Sequence, residues 1–243
     1  MTRQTQARIS KRMELLDQLR YFTMLDGIAV GLLLLSWMAL GHIIESPPKS
    51  RASTSVIMAD YRRKWMIQMI TRQPRIFDAA VLDTLRQGTA FFASACMIAI
   101  GGGLAAISNT ERLRGVAQDL TIDVPEIIWE VKILVALIFI TSAFLKFIWA
   151  NRLFGYCGVV MASVPNEVDA KETIPRAKKA GELNIAAARA FNRGLRSIYF
   201  ALGSLGWFLG PIGLIVATVM TVFILVRREF ASASREVLLQ SET

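Results

Sequence analysis

Four long stretches of this chain, residues 22–44, 88–108, 130–151 and 197–226, run almost without charge, and nothing else in the sequence limits its fold so strongly. A bilayer core about 30 Å thick takes roughly twenty helical residues to cross. In lipid every backbone polar group must be satisfied within the protein, so such stretches fold as helices. The first is interrupted only by Asp26. It is too long for a signal peptide and ends at His42 without a small-residue cleavage site. The fourth holds thirty uncharged residues and contains Gly210-Pro211. A proline inside a helix removes a backbone hydrogen bond, so a kink is expected there. Tilt or kinking would absorb the excess of a straight helix about 45 Å long.

Composition agrees with a membrane protein, at 53% apolar and 19% charged. A net charge of +9 would suggest nucleic acid as the partner of a soluble chain. Here it reads as basic loops beside anionic lipid head groups, with no nucleic acid partner. The sequence thus predicts an all-α polytopic membrane protein. Residues 1–21 form a basic tail, 22–238 a single four-helix transmembrane domain, and 239–243 a C-terminal tail.

The connections differ in charge. Eight basic residues lie between the first two stretches and eight more between Arg152 and Arg196, but only Arg112 and Arg114 join the second to the third. Placing both basic connections in the cytoplasm puts both termini outside, although five basic residues in the first twenty argue the other way. The first basic connection is itself helical. Met58, Tyr61, Trp65 and Met69 recur at helical spacing around Arg62, Arg63 and Lys64, as in a helix lying in the head-group layer and ended by Pro74. Residues 76–87 lead into the second span, and 176–197 extend the fourth into the cytoplasm.

Small residues four apart mark helix contacts in lipid. Ala95, Ala99 and Gly103 form one such face, and Gly206 with Gly210, just before Pro211, another. Packing within one subunit is favoured over a subunit interface. Cys96, Cys157 and the sole histidine, His42, share no metal-ligand spacing. Known catalytic motifs and phosphate loops are missing, so no catalytic residue, metal or cofactor is expected.

The polar residues that remain are candidates for contact with a solute or lipid. Asp78 and Asp83 lie five apart on different helix faces, and Asp83 is placed to pair with Arg86. Arg189, Asn192, Arg193 and Arg196 gather on one side of the helix entering the membrane, where guanidinium groups and an amide suit an anion or a lipid phosphate. Snorkelling to the interface is the alternative. Lys146 is read as a snorkelling lysine rather than a buried functional one, and Glu130 and Lys132 as a boundary pair or a bridge to another helix.

Several strings carry a resemblance: Tyr61-Arg62-Arg63-Lys64-Trp65-Met66, Thr71 to Asp78, Phe91-Phe92-Ala93-Ser94, Glu130-Val131-Lys132, Phe144 to Trp149 with Arg152, Phe191 to Arg196 with Tyr199-Phe200, Trp207 to Pro211, and Arg227 to Phe230. In this order they resemble the membrane family of bacteria and plants known as domain of unknown function 599. The resemblance spans about 25–238. It departs in a longer basic tail and in Gly155, where asparagine is common. It implies four spans and supplies no activity, and it adds Arg72 to the candidate residues.

The leading expectation is a homo-oligomeric channel or transporter for a small, anionic solute in the bacterial inner membrane. The alternative is a scaffold gripping lipid head groups and a partner protein. A lipid-modifying enzyme acting near Asp78 and Asp83 is the weaker third.

Overall fold

The computed structural model describes residues 22–48, 51–108 and 126–240. The basic tail and the segment bearing Arg112 and Arg114 lie outside them. All regular structure among the described residues is helical. In chain order it comprises α1 (Met24–Glu45), α2 (Thr54–Gln68) running into a 3-10 turn (Met69–Thr71), α3 (Ile76–Ser108) and α4 (Glu126–Ala162). There follow α5 (Thr173–Ser204), continued by a 3-10 turn (Leu205–Leu209), then α6 (Pro211–Phe230) and α7 (Ala233–Leu239). Helices long and apolar enough to cross a membrane lie at Met24–Glu45, Ile76–Ser108, Ile127–Ala162 and Pro211–Leu239. Their outer faces carry exposed Leu35, Phe91, Ile98, Ile138, Ile212 and Phe223, a surface suited to hydrocarbon and not to water.

The fourth apolar stretch is not one kinked span. At Gly210, with φ +93°, the chain reverses, and α6 returns antiparallel to the end of α5. Pro211 opens α6, where the missing N–H costs nothing. Small residues let the two arms close. A Cβ on Gly203 would lie 2.8 Å from Thr221 Oγ1, and one on Gly206 would lie 2.6 Å from Ala217 Cβ and 2.7 Å from the Gly213 carbonyl oxygen. The Gly206 contact is thus made within the chain, as favoured from sequence. The other small-residue face is not used as expected. Of its three residues only Gly103 meets α4, against Leu137, while Ala95 and Ala99 are exposed and Ala93 and Cys96 complete the packing.

At 33 and 37 residues, α3 and α4 reach about 50 and 55 Å and project beyond the apolar layer. There they form an extension with α2 and the first half of α5, around Met66, Leu82, Phe154, Cys157 and Ala180. Helix α2 does not lie flat in a head-group layer. It stands antiparallel along α5, with Met66 against Gly181 and Arg62 bonded to Asn184. Beside these, Arg63 Nε donates to Glu182 at 2.7 Å. The continuity of α3 into its span and the extension of α5 follow the sequence reading.

Candidate functional site

The polar groups within the apolar layer converge on a seam between α1, α4 and α5. Lys132, Phe139 and Lys146 are seven residues apart on α4, so they share one face with about 10 Å of rise between neighbours. The Lys146 ammonium turns into the bundle. It donates to Ser142 Oγ (2.9 Å) and Ser197 Oγ (2.8 Å) and lies 4.7 Å from the centre of the Trp37 ring. Trp37 Nε1 in turn donates to Ser197 Oγ at 3.3 Å. Among the described residues no carboxylate comes within ion-pair distance of Lys146. Hydroxyls and a π face satisfy its hydrogens without neutralising its charge.

Below this level the seam is closed by aromatic rings. Phe139, 1% exposed, meets Trp37 edge-on at 5.4 Å and stacks on Phe200 at 6.2 Å. Beyond the plug lies a second polar layer. Lys132 stands over the rings of Trp129 (5.5 Å) and Trp207 (5.8 Å), and Trp207 Nε1 donates to Asp26 Oδ1 at 2.7 Å. Asp26 also accepts from the Thr23 N–H at 2.9 Å, completing the cap that starts α1. Glu130 forms no ion pair with Lys132.

The four polar residues of α5 divide into two pairs. Arg193 and Arg196 both bond Glu45 at the end of α1, and Arg196 is 6% exposed. Arg189 and Asn192 instead line a cavity of about 390 Å³ at the joint between apolar layer and extension. Arg62 from α2 and Arg228 from α6 face the same space. Burial pushes the Arg62 guanidinium below its ordinary value, a sign that the neutral amide of Asn184 compensates it incompletely.

The candidates on α3 separate as expected. Asp78, fully buried, accepts from Trp65 Nε1 at 2.7 Å and pairs with Arg72. Asp83 is exposed and accepts from Gln87 Nε2 at 2.6 Å; the expected pairing with Arg86 is not formed. Asp83 and Arg86 border a second cavity, of about 640 Å³, against α4. Among the described residues no cluster of ligating side chains could hold a metal. Sequence reasoning missed Glu45, Trp37, Ser142, Ser197, Phe139 and Trp207. The seven-residue step from Lys132 through Phe139 to Lys146 was a signal open to it.

The sequence matches, over residues 28–234, the family described as "Protein of unknown function, DUF599". The chain belongs to the DUF599 family. No curated protein and no solved structure matches it. This DUF599 protein is therefore an all-helical member of a family of unknown function, with four helices apolar enough to span a membrane.

Proposed function

We propose that this DUF599 protein is a carrier for a small anion. The observation that carries the reading is Lys146, a lysine inside the apolar layer that faces protein, is hydrogen-bonded only to hydroxyls and lacks a paired carboxylate. A charge in that setting is costly and is kept where it faces a pathway or a substrate. Lys132 supplies a second positive station on the far side of the Phe139–Phe200 plug. An anion arriving at either station meets a half-buried cation, with the Asp26 carboxylate close enough to Lys132 to offset part of its charge. Helix α1 holds the hairpin at both ends, through Asp26 to Trp207 and through Glu45 to Arg196. Either end could part while the other stays closed, the requirement for alternating access.

This reading places the protein in a bacterial cytoplasmic membrane, with anionic lipid as its solvent. The exposed Ala95 and Ala99 offer a face for a second copy. The hairpin changes the expected orientation. The start of α1 lies level with the hairpin tip and the end of α6 level with Glu45, which supports a reading with the two ends of the described chain on opposite faces. The basic extension is the cytoplasmic one, which leaves the N-terminal end outside and brings the C-terminal end inside.

The test is anion efflux from proteoliposomes loaded with chloride or phosphate. Lys146→Met should lower flux at least tenfold, and Phe139→Ala should add an uncoupled leak. Absence of flux for both anions, or flux indifferent to Lys146→Met in folded protein, would end the carrier reading. The scaffold reading draws support from the extension, which has a core of its own. It predicts a stoichiometric partner in mild detergent and no flux.

A further inference from the structure

The cavity at the joint between apolar layer and extension is separate from the lysine seam, and its chemistry is specific. It is bounded by Arg62, Arg189, Asn192, Arg228, Ser55 and Glu229. The guanidinium of Arg62 has only the amide oxygen of Asn184. Arg228 has only the phenol oxygen of Tyr199, at 3.1 Å. Arg189 has neither a hydrogen bond nor an ion pair among the described residues. Thus none of the three cations is neutralised by direct contact with a carboxylate.

The one carboxylate bordering the space, Glu229, is already engaged. It accepts from the Ser55 N–H at 3.1 Å and from the Ser55 hydroxyl, closing off the start of α2. Asn192 Nδ2 donates to the same hydroxyl at 3.4 Å, a long bond that leaves the amide available to a better acceptor. Among the groups lining the cavity, three guanidiniums against one carboxylate leave two positive charges in excess; Glu182, already bonded to Arg63, acts on Arg189 only at longer range. The inner wall is apolar, formed by Leu85, Phe154 and Ile185, which weakens competition from water.

We propose that this cavity binds a terminal phosphate dianion, free or as a monoester. Guanidinium forks match phosphate oxygens in pairs, and a dianion balances the excess charge where a zwitterionic or singly charged diester does not. Two sources share this chemistry: the head group of phosphatidic acid, which the membrane would present at this level, and phosphate free in solution.

The test uses the full chain in nanodiscs of phosphatidylcholine, alone or containing phosphatidic acid, with lipid retention read by native mass spectrometry. Inorganic phosphate is titrated by calorimetry into the phosphatidylcholine discs. The reporter variant is Arg189→Ala with Arg228→Ala, both exposed positions whose loss leaves the core intact. Arg152→Ala, which removes an exposed arginine outside the cavity, is the control. The expected result is retention of phosphatidic acid weakened roughly tenfold or more by the double variant and unchanged by Arg152→Ala. The same dependence for inorganic phosphate, without phosphatidic acid retention, assigns the site to the soluble anion. Failure of both ligands to bind, or equal loss in the double variant and Arg152→Ala, overturns the proposal. The readout is binding, so it stands or falls apart from transport.

Discussion

A disulfide across the hairpin tests the reversal at Gly210 most directly. The Cβ built on Gly203 lies 3.7 Å from Thr221 Cβ, close to the mean separation of about 3.8 Å across a disulfide. In a single span these positions, eighteen residues apart, would be separated by about 27 Å, and a kink would shorten that only slightly. Replacing Thr221 also removes the hydroxyl that a Gly203 Cβ would approach at 2.8 Å, so the pair forms without crowding. The double variant Gly203→Cys, Thr221→Cys, oxidised in the membrane and digested, should yield a linked peptide joining the two arms. The native cysteines, Cys96 and Cys157, are buried and serve as an internal control for non-specific oxidation. A folded double variant that yields no linked peptide under conditions that oxidise exposed thiols would refute the hairpin and every statement resting on it.

Gly206→Ala should destabilise the protein by about 1–3 kcal/mol, as overpacking does, because its Cβ meets Ala217 and the Gly213 carbonyl. Gly102→Ala, with nothing within 4 Å, should leave thermal unfolding in detergent unchanged or raised. Arg72→Ala should cost about 3 kcal/mol, the low end for breaking a buried ion pair, since Asp78 is fully buried while the Arg72 side chain is 39% exposed; denaturant unfolding measures it. Arg63 beside Glu182 holds that carboxyl below its ordinary value. A depressed carboxylate contributes stability above its unfolded pKa and loses it as pH falls through the folded one. Glu182→Gln should therefore flatten the acid limb of the stability profile slightly, by no more than about 1 kcal/mol for so exposed a pair, and change nothing at neutral pH beyond that amount.

The first three long apolar helices were legible because lipid leaves a helix few alternatives, and the end of α2 and the forward extension of α5 because Pro74 and the alanine-rich 176–197 segment carry local signals. The reversal at Gly210 was not, since Gly-Pro fits a kink as well as a turn. What selects the turn is non-local: glycines at 203, 206 and 213 allow an approach that any side chain would block. Length held a clue. Thirty uncharged residues are too many for one crossing and too few for two. The first arm of the hairpin continues an earlier helix through residues 192–196, whose arginines look like a boundary until Glu45 is seen to pair with them. Helix α2 misled for a related reason. Its pattern suits a membrane surface, yet Met66 against Gly181 and Arg62 against Asn184 hold it upright.

For the site, sequence supplied residue types without partners, and partners decide what a cation can do. Arg189, Asn192, Arg193 and Arg196 share one helix face and read as one anion site. Glu45 consumes two of them, and the remaining pair finds Arg62 and Arg228 from helices distant in sequence. Lys146 shows the converse. Six residues from Arg152 it reads as a lysine able to snorkel, but snorkelling needs an outward rotamer along a lipid-facing groove. Ser142 stands one turn away on its own helix and Ser197 opposite on α5, and together they offer two acceptors inside the bundle. Trp37 supplies the third face of the cage. An ammonium so held has exchanged water for neutral oxygens and a π cloud, so its charge remains unpaired. That residual charge distinguishes Lys146 from the arginines bound to Glu45.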